Sequence, residues 1–360
     1  MDFALHLPLN GVSFGQVSVA LCREIYAMGL NPAIFTIGQP DLRTQNIAPD
    51  FGLWLNSGIS KAMATHKRTT PIIKLWHLNG GLESLSIRQI LFTFYELDNP
   101  TKEEINAVKN NDKVFFSSSY ARDIFSDVGC KNVDAAPLGF DKHNFSIINK
   151  QYHNDGRITF NLCGKLEKRK HHVKTISAWV KKYGGNPKFY LKCAVQNPFI
   201  QDVEQQKAIL VQACGGTKPF NVEFVEMMKH NLEYNDFLNS GDIVIGMSGG
   251  EGWGLPEFQS VALGKHAVIL AASGYKSWAN EQNSVLVHPC GKVESYDNFF
   301  FHKGQPFNQG NIYDFDDSDF IAACEKAIER VKADKLNIEG VRLQQNFSYR
   351  STVEKLLGAI

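Results

Sequence analysis

Residues Ile243 to Lys265, IVIGMSGGEGWGLPEFQSVALGK, constrain the fold most, because one stretch holds an apolar strand, a glycine-rich acidic loop and a proline-started helix. Ile243, Val244, Ile245 and Met247 form a run too short for a helix, of the kind buried on both faces in a parallel sheet. Gly249 and Gly250 end it, and Glu251-Gly252-Trp253-Gly254-Leu255 follows as a loop whose glycines let backbone N–H groups approach a ligand closely. Pro256 suits the first position of a helix and Gly264 the residue just past its end. Ligands of open α/β sheets gather at the carboxyl ends of strands, and helix N-termini attract phosphate. Glu251 therefore lies where a polyol could offer hydroxyls to a carboxylate. Taken alone, the segment reads equally well as an ordinary strand–loop–helix connection with a solvated glutamate.

The rest of the chain alternates in the same way. Phe3 to Leu9 reads as a strand, Asn10 to Gly15 as a loop, and Val17, Ala20, Leu21, Ile25 and Met28 as one face of a helix before the strand Ala33 to Ile37. A right-handed crossover makes this opening βαβ unit parallel. Strands follow at Ile72–Trp76, Leu91–Tyr95, Lys113–Ser117 and Val133–Leu138, with helices at Lys102–Asn110 and Ala121–Val128. The polar stretch Ser146 to Gly156 has few core candidates and reads as a linker. Alternation then restarts with strands at Ile158–Cys163, Phe189–Cys193, Val222–Val225, Ala267–Leu270 and Ser284–Val287, and helices at His172–Tyr183, Asn235–Asn239 and Asp319–Val331. Tyr296 to Ile312, rich in Phe, Gly and Asn, fits neither period, and a last amphipathic segment runs from Ser351 to Leu357. The expected fold is α/β, with two doubly wound Rossmann-like domains whose carboxyl edges face each other across a cleft.

A chain of 360 residues is long enough for two domains. Its net charge of +1 excludes a strong global field for nucleic acid or anionic membrane. Seven scattered cysteines without a CxxC pair read as reduced and cytoplasmic, with neither a zinc site nor a disulfide framework. The beginning MDFALHLPLNG lacks the basic start and apolar core of a secretory signal, and no segment approaches the ~18 uninterrupted apolar residues of a membrane span. Lys61, Lys67, Arg68 and Lys74 make the first domain locally basic, a surface for an anionic acceptor such as DNA, a lipid headgroup or a phosphorylated glycan, or simply a solvated face. Asp316-Asp317-Ser318-Asp319 superficially offers a DxD metal motif but is better explained as a cap for the helix from Asp319, so no metal is expected.

Five separated segments together resemble retaining GT-B glycosyltransferases of the "glycosyl transferases group 1" family. Glu251-Gly252-Trp253-Gly254-Leu255-Pro256 with Ala262-Leu263-Gly264-Lys265 resembles that family's EGFGLP…EA-A-G-P signature. Gly164-Lys165-Leu166-Glu167-Lys168-Arg169-Lys170 resembles its G-R-x4-K segment, with Lys165 in place of the usual arginine. Ser117-Ser118-Ser119-Tyr120 and Pro137-Leu138-Gly139-Phe140-Asp141 resemble the end of the first domain, and Phe347-Ser348-Tyr349 the start of the last helix, which crosses back to it. The resemblance implies a GT-B arrangement, with residues 1–150 on the acceptor side, 151–340 binding a nucleotide-diphosphate sugar and 341–360 returning to the first domain.

It also implies roles. Lys165 and Lys170 would clamp the diphosphate, and Glu251 would contact the donor sugar. Gly11, Val12, Ser13, Gly164, Gly252, Trp253, Gly254 and Leu255 would line the donor site, with backbone N–H groups in place of a divalent metal, and no cofactor is then required beyond the nucleotide-sugar co-substrate. The family's second glutamate, which holds the ribose, is here Gln259; Glu257 two residues earlier is explained by its favourable place in the first helical turn. Glu96 and His77, at the ends of first-domain strands, are acceptor-side candidates; alternatively Glu96 caps the helix after Pro100 and His77 is structural. A nucleotide-sugar epimerase or phosphorylase, or a catalytically silent nucleotide-sugar-binding module, would share these features. A nicotinamide-dependent oxidoreductase fits poorly, because Asn10 to Gly15 lacks a full GxGxxG.

Overall fold

The structure, a computed structural model, describes residues 2–148 and 156–360. Most of the linker expected over Ser146 to Gly156 therefore lies outside the described residues. The first half folds around six strands, β1 (Ala4–Leu7), β2 (Ala33–Thr36), β3 (Ile72–Leu75), β4 (Gln89–Thr93), β5 (Lys113–Phe116) and β6 (Val133–Ala135), joined in the order β2-β1-β3-β4-β5-β6. Every pairing is parallel, for example Ala4 with Ala33 and Ile72 with Gln89. Helices α1 (Ser13–Ala27), α2 (Pro49–Thr65), α3 (Lys102–Lys109) and α4 (Ser119–Asp127) supply crossovers, whereas β3 and β4 are joined by irregular chain.

The second half repeats the plan with β7 (Ile158–Cys163), β8 (Phe189–Ala194), β9 (Val222–Phe224), β10 (Ile243–Gly246), β11 (His266–Leu270) and β12 (Val285–Val287), in the order β12-β11-β10-β7-β8-β9. These pairings are parallel too. Helices α5 (His172–Tyr183), α6 (Val203–Ala213), α7 (Asn231–Asn239), α8 (Leu255–Ala262) and α9 (Asp317–Ala333) flank this sheet. Strand order reverses between β1 and β3 in one sheet and between β7 and β10 in the other, and such switch points are where crevices open at the carboxyl edge. The two βα loops singled out in the sequence, Asn10–Gly15 and Ser248–Gly254, stand at these two crevices.

An antiparallel hairpin, β13 (Gly291–Glu294) with β14 (Asn311–Asp314), brackets the stretch that fitted neither period. The chain ends in α10 (Ile338–Val341), α11 (Leu343–Asn346) and α12 (Tyr349–Leu357). This last helix lies on the first half: the Phe140 N–H donates to the Phe347 carbonyl at 3.0 Å and the Thr352 hydroxyl to the Pro137 carbonyl at 2.5 Å. Gly139 sits so close beneath it that a Cβ there would lie 2.0 Å from the Tyr349 nitrogen.

Two sequence readings need correction. Lys74 is not a surface cation: it lies in the centre of the first sheet, 1% exposed, and its ammonium donates to the carbonyls of Gly80 and Glu83 at 2.6 Å, stapling the irregular β3–β4 connection. Its partners in the basic patch, Lys61 at the end of α2 and Lys67 and Arg68 ahead of β3, stand at the amino edge of the sheet, while both crevices open at the carboxyl edge. At about 3.3 Å per residue the length of β3 alone separates them by roughly 13 Å. The acidic run also differs from expectation, since α9 begins at Asp317 and Asp316 makes no side-chain capping bond; its acids serve the first turn.

Candidate functional site

One wall of the site is assembled by the turn that leaves β7. Gly164 adopts φ +109, which only glycine takes easily, and turns the chain toward α5; a 3-10 turn over Lys168–Lys170 then aims two of its cations, Arg169 and Lys170, inward and leaves Lys168 exposed. Lys170, buried at 6% exposure, bonds through its Nζ to a carboxylate oxygen of Glu251, which arrives on the loop after β10. Arg169 stands 3.3 Å from the same oxygen, pairs with Glu167 at 2.9 Å, donates to the Gly250 carbonyl at 2.7 Å and reaches Glu96 of the first half at 3.6 Å. Lys165 is the outermost cation. It pairs with Glu167 at 2.8 Å and lies between the rings of Phe199 and Phe300, 5.1 and 4.8 Å from their centres.

Three cations thus meet three carboxylates in a space that excludes most water, and the pKa values follow. Burial would push the Glu251 carboxyl up, but the Lys170 ammonium and the Arg169 guanidinium outweigh it and hold it well below the ordinary range. Burial pulls Lys170 and Arg169 down, yet their carboxylate partners more than compensate, so both remain charged. His172, buried next to Lys170, is pushed down to about 3 by burial and by that ammonium, and is neutral. Glu257 is a different case from the one its position in the first turn of α8 implied. Its side chain is 2% exposed and packs beneath the helix against Gly246, where a Cβ would lie 2.8 Å from the Glu257 Cγ and 3.3 Å from the Tyr275 hydroxyl. Neither Glu257 Oε2 nor that hydroxyl has a partner of hydrogen-bonding geometry. Burial, with Glu251 nearby, raises its pKa to about 7 against the pull of Lys170.

The opposite wall comes from the first half. Val12, at the uncapped N-terminus of α1, with Ser13 and Phe14, faces the cations across a cavity of about 310 Å³. His77 packs against Phe14 with 4.3 Å between ring centres and the rings tilted by 45°. His77 is exposed at the cavity mouth, yet desolvation by the walls around it, with Lys165, holds its pKa below the ordinary value against the opposing effect of Glu96. Glu96 does not cap α3: the Thr101 side chain and Glu104 form a complete capping box there, leaving the Glu96 carboxylate toward Arg169. The glycines of the second loop are required by close approach, since a Cβ on Gly252 would lie 2.8 Å from that of Phe94.

A second cavity, of about 270 Å³, continues from the first and shares Ser13, Gly164, Lys165, Leu255 and Pro256 with it. Gly11 and Gln259 line this second space, together with Gln16, Gln196, Asn231 and Tyr234. Every residue singled out as a donor-site candidate therefore borders one of the two connected cavities. Trp253 does so with its indole turned away, packed on Phe258 and Phe347 at 5.3 and 5.5 Å. Sequence reading passed over Arg169, whose place in the basic run Lys168-Arg169-Lys170 was the available signal, and the side chains from β8, β9 and α7, which carry no motif. Among the described residues, no group of three or more His, Cys, Asp or Glu side chains is placed to hold a metal, and no helix is long and apolar enough to cross a membrane.

No protein-family model and no curated protein matches the sequence, so the motif resemblance rests on five short segments. Solved structures do match, along nearly the whole chain. Sucrose-phosphate synthase from Thermosynechococcus elongatus superposes with a TM-score of 0.65 at 15% identity, covering 99% of this chain and 94% of its own. Anabaena HepE, solved with UDP and glucose, gives 0.63 at 13% identity, covering 99% and 98%. The fold is GT-B. The catalytic domain of starch synthase IV from Arabidopsis thaliana, bound to ADP and acarbose, gives 0.67 at 11% identity with 99% and 98% covered. At such identities the likeness speaks for the two-domain architecture, and chemistry has to be argued from the site itself.

Proposed function

We propose that this chain is a retaining glycosyltransferase that moves a sugar from a nucleotide-diphosphate donor to an acceptor hydroxyl. The observation that carries the reading is the pair of connected cavities, one ending at Gln259 and the other at the Lys170–Glu251–Arg169 cluster, with Lys165 at their junction. A nucleoside fits the first, with Gln259 toward the ribose. The diphosphate then lies at Lys165, Lys170 and the N-terminus of α1, and the sugar hydroxyls meet Glu251. Residues 1–150 form the acceptor side, 151–340 the donor side, and 341–360 return to the first.

In the reaction, the bond between the anomeric carbon and the diphosphate oxygen breaks, its electron pair leaving with the diphosphate. The acceptor oxygen forms the new bond on the same face, and its proton passes to the departing phosphate oxygen. Lys165 and Lys170 stabilise the charge that develops there. Glu251, held through its Oε1 by Lys170 and Arg169, turns its remaining acceptor capacity to the sugar and is not a nucleophile. Proteins of the same fold have been solved with UDP and with ADP, which supports a nucleotide as the ligand.

Calorimetric titration of UDP, GDP and ADP into the protein tests the reading. At least one should bind, and Lys170→Ala should weaken it roughly 10- to 100-fold, the worth of one charge-assisted hydrogen bond. Absence of binding by all three would refute it. Turnover of a nucleotide sugar only in the presence of an acceptor separates the transferase from a silent binding module.

A further inference from the structure

The hairpin β13–β14 carries the segment 295–310 out of the second half and onto the first. Lys292 pairs with Asp98 at 2.8 Å, and the Asn311 N–H donates to the same carboxylate at 2.7 Å. Phe301 and Ile312 are buried among Leu78, Tyr95 and Leu97. At the tip, the Thr101 hydroxyl donates to the Pro306 carbonyl at 2.5 Å, and Glu104 accepts from the Asn308 N–H at 2.7 Å. The arm is thus held at five points and walls off a cavity of about 250 Å³ lined by Trp76, His77, Asn79, Glu96, Phe307 and Asn308.

This compartment abuts the cation-lined cavity, with which it shares His77, Phe94 and Glu96. Its chemistry is the reverse of its neighbour's. No lysine or arginine lines it, and two carboxylates, Glu96 and Glu104, do. Glu104 is spent on the backbone N–H groups of Thr101 and Asn308. Glu96 keeps hydrogen-bonding capacity, because Arg169 stands at 3.6 Å, beyond a good hydrogen bond. A phosphate here would face two carboxylates, and the nearest guanidinium, Arg169, lies outside the lining and is already paired with Glu167 and Glu251. A neutral polyol would find rings to stack on and carboxylate and amide groups for its hydroxyls.

We propose that this compartment is the acceptor site and takes an uncharged sugar unit, with Asn308, brought in by the arm of the other half, as a residue that selects it. The word acceptor rests on the transferase reading, but the binding chemistry stands apart from it. Saturation-transfer NMR on the full chain, with and without UDP, compares methyl glucoside and N-acetylglucosamine with glucose 6-phosphate and glycerol 3-phosphate. The neutral sugars should bind at least about tenfold more tightly than the phosphates, and Asn79→Trp, which fills the compartment from an exposed loop, should abolish their signal while leaving UDP binding intact. Trp76→Ala should lose it as well, and Asn79→Arg should shift preference toward the phosphates. Equal or tighter binding of the phosphates, no binding of either neutral sugar, or sugar binding that survives both Asn79→Trp and Trp76→Ala overturns the proposal. Failure of the donor reading would appear instead as missing nucleotide binding, whatever the sugars do.

Discussion

Glu257→Gln offers a quantitative test of the electrostatics beneath the loop after β10. The folded carboxyl keeps its proton up to about 7, whereas an ordinary glutamate releases it at 4.5. Between these values the folded state binds the extra proton, so its contribution to stability falls as pH rises and stays low above about 7. At about 1.4 kcal/mol per pH decade the full cost is roughly 3 kcal/mol, an order-of-magnitude figure because Lys170 and Glu251 titrate against the same group. Glutamine has no such slope, but its amide meets the unpartnered side of the pocket at a cost of about 1 kcal/mol. The variant should be about 1 kcal/mol less stable than the parent at pH 4.5 and about 2 kcal/mol more stable at pH 8.5. For a unit of this size that gain is about 4–8 °C in Tm. Thermal unfolding of both proteins at the two pH values measures the difference, in which titrating groups that do not interact with Glu257 cancel. Parallel pH profiles, with the variant destabilised by the same amount throughout, would show that Glu257 is ionised in the fold and refute the reasoning.

Gln259→Glu should tighten binding of the preferred ribonucleotide by about fivefold, since a carboxylate accepts from ribose hydroxyls more strongly than an amide; the gain should vanish for the matching 2′,3′-dideoxynucleotide in the same calorimeter. Gly139→Ala places a Cβ 2.0 Å from the Tyr349 nitrogen, which has no flexible end to yield. It should cost about 1–3 kcal/mol and expose α12 to limited proteolysis, and unchanged protease resistance would count against the packing described.

What the sequence disclosed was what local pattern records. The run Ile243–Met247, the loop to Leu255 and the segment Gly164–Lys170 could be read one by one, and the sheets bring them together because β7 and β10 are neighbours though 80 residues separate them in the chain. Lys74 was misjudged because alternation does not tell which strand is central, and a long side chain can bury its stem and find carbonyls at its tip. Glu257 was explained by the macrodipole of the first helical turn alone, since nothing local marks Gly246 as the gap that admits it. The Phe-rich stretch from Tyr296 resisted assignment for a related reason: its apolar residues answer to the core of the other half, so neither a helical nor a strand period governs them.

The return of the chain at Phe347 has a mechanical consequence. The Phe347 ring packs on Trp253 and Phe258, at the loop and helix that follow Glu251, while the residues immediately after it run along α1. The tail is therefore a second tether spanning the two halves, fastened at one end beside the loop that carries Glu251. Ile360 itself is partly buried against the apolar core. Loosening α12 from the first half would be felt at Trp253, and a shift of that loop would in turn pull on α12.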